Sequence, residues 1–264
     1  MKFPVGAALA LSFVLGFGCA SPERAQPSTP GSADAGAARP ALPDAPTPTA
    51  EAPVAKRPAY TLVFLKTGPA DGQVVGQERQ TAFQGHMQNI GALAEARRLV
   101  VAGPFGKARH DATLRGLFVM NTGDRALATE WASTDPTSKL GMFVLEYHDF
   151  DTDAPLAAAL ERDLAREAAA KAGGATPNPM ENMRGYVLLT AEHGDVARRE
   201  LAPLMAQGRV FLLADLEAGR AVAWLDAQNL AQAEEAFGEV LARVGAHALD
   251  EWFGSAELSR LHGH

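Results

Sequence analysis

The apolar positions of this chain fall into two successive series of short blocks, separated by a helical stretch and preceded by a segment almost without them. Residues 60–66 (Tyr-Thr-Leu-Val-Phe-Leu-Lys) form a continuous apolar run, which predicts a buried strand. Gly68-Pro69 and Asp71-Gly72 end it. Over 77–96 the spacing changes: Phe83, Met87, Ile90 and Leu93 recur at intervals of three and four, predicting a helix with one buried stripe. Strands are predicted at 99–102, closed by Gly103-Pro104, and at 114–121. A short helix at 124–133 follows the Thr122-Gly123 turn, and a strand at 141–150 ends the series.

An Ala/Glu/Arg-rich helix is predicted at 154–172, ending at Gly173-Gly174. The pattern then returns: strand 184–191, helix 196–207, strands 209–214 and 221–226, helix 228–244, strand 246–253. The order β-α-β-β-α-β is that of an antiparallel sheet with both helices on one face. Such a sheet leaves its other face apolar and uncovered. Two units in one chain can cover each other. The expected fold is therefore α+β, with two ferredoxin-like repeats packed sheet to sheet: one at 59–153, a second at 184–264, and a connector at 154–183.

Ahead of the first strand the composition shifts. Between residues 20 and 58 there are nine prolines, no aromatic residue, and only Leu42 and Val54 among the large aliphatics. This composition buries too little surface to offset its ordering entropy, so a disordered tether is expected at 19–58. Residues 1–18 carry Lys2, an apolar run over 5–17 that is short for a membrane span, and small residues before Cys19, the pattern of a signal peptide. Gly18-Cys19 resembles the lipobox of bacterial lipoproteins. That resemblance implies a lipid on Cys19 and an exported chain held to a membrane of the cell envelope, on its periplasmic side or at the cell surface. Leu15 lies four residues before the cysteine, and Gly16 stands where that family usually has leucine. A cleaved signal peptide with an incidental cysteine is the alternative reading.

Charge narrows the partners. With 24 Lys and Arg against 31 Asp and Glu, the net charge of −7 and the absence of a basic block exclude a nucleic-acid binder. A single cysteine excludes an intramolecular disulfide, a CxxC pair and a cysteine-rich zinc site. His110, His148, His193 and His247 lack metal-ligand spacing, and His262 and His264 lie at the C-terminus, where fraying is expected. No dinucleotide fingerprint, P-loop or nucleophile elbow occurs. No metal and no cofactor is expected.

The remaining chemistry is in the first series. The run from His86 (His-Met-Gln-Asn-Ile-Gly-Ala-Leu), the run Arg98-Leu-Val-Val-Ala-Gly-Pro-Phe105, and Asp135-Pro136 followed by Gly141 and Glu146 together resemble the YCII-related proteins over about residues 60–150. The resemblance implies a dimeric α+β barrel, here formed within one chain as a pseudo-dimer. Related barrel families include muconolactone isomerases and small monooxygenases. The resemblance further implies a site built on His86 and Asp135, near the turn Gly103, Pro104 and Phe105. An imidazole moves protons near neutrality, and a carboxylate on its other nitrogen fixes the tautomer. Such a pair suits proton abstraction, isomerisation or elimination on a small organic molecule. Backbone donors of the 103–105 turn are candidates to hold an oxyanion. Against this stand plainer readings: His86 as a half-buried helix residue, Asp135 as a cap before proline, and the whole as a non-catalytic ligand-binding or scaffold module. When Arg98 is aligned with Arg209, Ala197 falls opposite His86, and no Ala-Gly-Pro-Phe or Asp-Pro follows. The site is expected in the first half only.

Overall fold

A strand that is apolar at nearly every position has to be covered on both faces. In the computed structural model, which describes residues 59–176 and 178–261, β1 (Tyr60–Thr67) is covered in this way. Its Leu62 enters a central core, whereas Val63 and Leu65 enter a layer beneath helices. The expected signal segment 1–18, Cys19, the tether to residue 58, and His262 and His264 lie outside the described residues.

The chain continues through α1 (Gly76–Glu95), β2 (Leu99–Pro104), β3 (Leu114–Met120), α2 (Arg125–Ala132), α3 (Pro136–Lys139) and β4 (Phe143–Asp151). After α4 (Leu156–Ala172) come β5 (Met183–Ala191), α5 (Gly194–Ala206), β6 (Val210–Leu216), β7 (Ala221–Leu225), α6 (Leu230–Val244) and β8 (His247–Ser255). Each element read from the sequence is present. The one-turn α3 was not anticipated; Asp135 caps it and Pro136 starts it, where a missing N–H costs nothing.

The fold is α+β. The eight strands form an antiparallel sheet in the order β2-β3-β1-β4-β6-β7-β5-β8. Within each half the order by sequence is second, third, first, fourth. The halves join at β4 and β6 through only two residue pairs, Phe150 with Leu216 and Asp151 with Asp215. At the opposite edges the chain after β2 meets β8. Phe105 bridges to Trp252, Gly106 N–H donates to Glu251 O (2.6 Å), and Glu251 N–H donates to Ala108 O (2.9 Å).

The alternation of side chains along each strand sorts them into layers. Leu62, Leu117 and Phe150 from the first half share a core with Leu188, Leu212 and Trp224 from the second. On the outer faces, α1 and α2 contribute Leu93, Ala128 and Ala132, and α5 and α6 contribute Leu201, Phe237 and Leu241. The central core is aromatic at heart. Trp224 stands edge-on to both Phe150 (6.0 Å) and Trp252 (5.9 Å), and Trp252 lies 5.6 Å from Tyr186. Buried aromatic groups with a polar atom usually find partners. Trp252 Nε1 donates to Gly103 O (3.0 Å) and Tyr186 Oη donates to Ser255 O (2.7 Å), whereas Trp224 Nε1 is buried without a partner among the described residues.

The two halves also agree in detail. Arg97 and Gly208, each just before the second strand of its half, have φ of 55° and 70°. The next residues, Arg98 and Arg209, lie over Trp131 (5.2 Å) and Phe237 (4.8 Å).

Polar groups reinforce the narrow β4–β6 joint. His148 on β4 is buried; its Nδ1 faces Glu217 Oε1 and its Nε2 faces Glu146 Oε1 (2.8 Å). When both nitrogens carry protons, the ring donates to both carboxylates at once. Asp149 N–H donates to the other oxygen of Glu217 (2.7 Å). Burial pushes the Glu217 carboxyl up, but hydrogen bonds and charge from His148, with backbone N–H donors, outweigh it and hold the group below its ordinary range.

A carboxyl held below its ordinary value of 4.5 stabilises the fold above that pH, and the contribution is lost as pH falls through the folded-state value. Thermal melts between about pH 3 and 7 will therefore show acid destabilisation that Glu217→Gln partly removes. A Glu217→Gln profile parallel to that of the wild type would place the acid sensitivity elsewhere.

Candidate functional site

Helical spacing puts His86 on the same face of α1 as Phe83 and Ile90, the face turned to the sheet. There the imidazole is enclosed by rings. Phe118 of β3 stacks on it at 5.9 Å, and Phe143 of β4 (5.8 Å) and Phe83 (6.3 Å) meet it edge-on. The side chain is 12% exposed.

The partner is Asp135, fully buried at the start of α3. Its Oδ2 lies 2.7 Å from His86 Nδ1. Its Oδ1 accepts from Thr137 N–H (3.0 Å) and Thr137 Oγ1–H (2.8 Å). One carboxylate thus caps a helix with one oxygen and engages the histidine with the other. A buried carboxylate needs such saturation. The plain reading of Asp135 as a cap before proline and the reading as a histidine partner both hold.

Gly85 explains how α3 comes so near. A Cβ there would lie 2.9 Å from Pro136 Cγ, so any side chain would push α3, and Asp135 with it, away from α1. A glycine inside a helix carries a cost in stability. Its place next to His86 was the sequence signal for this contact, and sequence reasoning missed it.

Nε2, the second ring nitrogen, has no hydrogen-bond partner among the described residues, and His86 lines a cavity of about 450 Å³. That volume suits a small organic molecule. α1 forms one wall with His86, Ile90 and Gly91, and the strands form the floor with Phe118, Ala102 and Pro104. Gly91, exposed at the cavity rim, has no atom within 4 Å of where a Cβ would stand.

The far wall was not legible in the sequence. It comes from α4, read there as a connector, through Leu160, Leu164, Asp163 and Arg166, together with Asn182 and Ser255. Asp163 accepts from the Ser255 hydroxyl, from Asn182 Nδ2 (2.7 Å) and from Arg166 Nη2 (3.0 Å). Only the packing of α4 across the edge of β2 brings these residues to the first half.

The segment Gly103, Pro104 and Phe105 behaves differently from the expected turn. Gly103 and Pro104 continue β2 and line the cavity. They offer no free oxyanion donors beyond them: Pro104 has no N–H, Phe105 N–H donates to Arg115 O (3.0 Å), and Gly106 N–H to Glu251 O. Phe105 is buried in the central core. A Cβ on Gly103 would lie 1.9 Å from Phe253 O and 2.6 Å from Trp252 Cζ2, so the glycine admits β8. The motif seats the second half as much as it borders the site.

Other histidines serve joints. His110 Nδ1 lies 2.8 Å from Asp250 Oδ2, and its backbone N–H donates to Oδ1 (2.8 Å), pinning the loop after β2 onto β8. At the position aligned with His86, Ala197 is fully buried against the second sheet. Among the described residues no group of three or more His, Cys, Asp or Glu is placed to hold a metal ion, and no helix is long and apolar enough to cross a membrane. Comparisons with protein-family models, curated proteins and solved structures return no match.

Asp135→Ala leaves buried Thr137 and His86 groups without their acceptor, a loss of about 1–3 kcal/mol. Asp135→Asn keeps the capping oxygen and will cost less. Urea denaturation of both variants checks this; equal losses would contradict the division of labour between the two carboxylate oxygens.

Proposed function

We propose that the chain is an exported, lipid-anchored protein of the YCII-related type whose first half exchanges protons with a small organic substrate, in lyase- or isomerase-type chemistry. The observation that carries this reading is the 2.7 Å contact between His86 Nδ1 and buried Asp135, with Nε2 left over on the residue that lines the cavity. Asp135 is the positioning residue: a carboxylate on Nδ1–H keeps Nε2 as the basic nitrogen. His86 then takes a proton from carbon or returns one. Ring contacts on three sides hold the imidazole in a single orientation, the condition for efficient transfer.

In the same proposal the fold is two ferredoxin-like units closed into an intramolecular α+β barrel. Its support is the identical strand order of the halves, the shared aromatic core and the matching Arg98 and Arg209. Anchoring rests on the sequence pattern that ends in Cys19. A second reading, a non-catalytic envelope module that binds a small ligand, is favoured by buried Ala197 in place of a second histidine.

The two readings separate in deuterium exchange. Small ketones and lactones incubated in D₂O with the full chain, followed by NMR, will exchange their acidic C–H positions. His86→Gln will slow exchange roughly 10²–10⁴-fold, and Asp135→Asn will slow it and displace its pH profile. A wild type that binds these compounds without exchanging them supports the binding module instead. For the anchor, Cys19→Ser should release the chain from membranes and abolish the lipid mass increment. A variant that still partitions with membranes and keeps the increment removes the lipid from this account.

A further inference from the structure

The cavity is not uniform in charge along its length. His86 stacks on Phe118, which pairs with Ala102 across β2 and β3. The next pair on that face is Gly116 with Pro104, about 7 Å further along the strands. Gly116 has no side chain and Pro104 only its short ring, so little fills the space above this pair. Bordering it is Arg115, which also lines the cavity.

The hydrogen bonds of Arg115 come from one nitrogen. Nη1 donates to Ala112 O (2.8 Å) and Leu114 O (3.2 Å). Among the described residues neither Nε nor Nη2 has a partner, and no carboxylate lies within ion-pair distance. Lys66 pairs with Glu146 and Asp111, and Arg166 with Asp163, whereas neighbouring Arg109, which shares Ala112 O with Arg115, donates only to backbone carbonyls. Of these two arginines without an acid partner, Arg115 is the one that lines the cavity. Three carboxylates also line the cavity, and none is ion-paired with Arg115: Asp163 is engaged by Arg166, Asn182 and Ser255, Glu95 at the C-terminal end of α1 is met by Lys171 at 3.9 Å, and Glu167 lies in the C-terminal half of α4. A guanidinium presents its free N–H groups in a planar fork that matches a carboxylate.

We propose that the cavity takes a small apolar carboxylic acid, its carboxylate paired with Arg115 and its carbon skeleton held beside His86. This names the substrate class within the acid/base reading and rests on it. An anion at Arg115 fixes which carbon faces Nε2, since the aromatic floor by itself gives no direction to an apolar skeleton. A neutral molecule of the same shape would fill the apolar part and leave the charge of the guanidinium without a counter-ion.

The test is calorimetric titration of the full chain with 3-phenylpropanoate and with its neutral amide. The acid should bind at least about ten-fold more tightly than the amide, a difference of roughly 1.4 kcal/mol. Arg115→Gln should abolish that preference by weakening the acid far more than the amide, and amide binding that persists shows that the cavity is intact; Arg115→Lys should restore part of the preference. Equal affinities for acid and amide, a preference that survives Arg115→Gln, or binding of neither probe overturns the carboxylate site. Binding of both probes that Arg115→Gln leaves alone and His86→Gln alters overturns it too, while the acid/base reading stands.

Discussion

Each half of this protein makes a sheet with helices on only one face, and the other face cannot remain in water. Everything else follows from how that face is covered. The two apolar faces meet in one core, where Trp224 and Trp252 of the second half pack with each other and Trp224 packs on Phe150 of the first. Full burial of a large apolar side chain contributes about 1.5–3 kcal/mol, and this core gathers many of them. Two residue pairs at the β4–β6 joint would be a weak hinge alone. The shared core, with the His148–Glu217 contact and the β8 edge on Gly103 and Gly106, makes the joint secure.

That packing also sets where chemistry can occur. Helices bury the outer face of each sheet, and a pocket persists only where the packing leaves a gap. In the first half the gap lies between α1 and β2, closed on its far side by α4. His86 belongs to the buried stripe of α1 and would be an ordinary core residue without Asp135. The carboxylate reaches it because α3 packs on α1 at Gly85. A structural device, the capping of a single helical turn, thereby holds a functional group at 2.7 Å from the imidazole.

The second half shows the alternative outcome. Where the first has histidine, it has Ala197, and the space fills with Leu201, Phe237 and Leu241. No one-turn helix stands between α6 and β8; Gly245 alone, with φ of 83°, turns the chain. This half gives its other face to the shared core and its edge to Gly103 and Phe105. It contributes Ser255 and Leu258 to the cavity wall and holds β2 in place.

Hydrophobic spacing, with glycine and proline breaks, determined the order of the strands and of every helix but the one-turn α3, and with it the α+β class, because a strand buried on both faces and a one-sided helix have different periods. A family resemblance carried by the neighbouring motifs drew attention to His86 and Asp135, and local rules made Asp135 a cap whatever its partner. The sequence did not determine which atoms meet. Gly103, Pro104 and Phe105 read as a turn near a site, yet the glycine is there for Trp252, 149 residues away along the chain. The α4 wall, Arg115 without an acid partner and the Gly85–Pro136 approach likewise depend on segments brought together from distant positions. Local sequence carries the conformational preferences of its own residues. Contact between distant segments is decided only when apolar faces find each other, and only the tertiary structure shows which polar groups are paired and which are left facing a cavity.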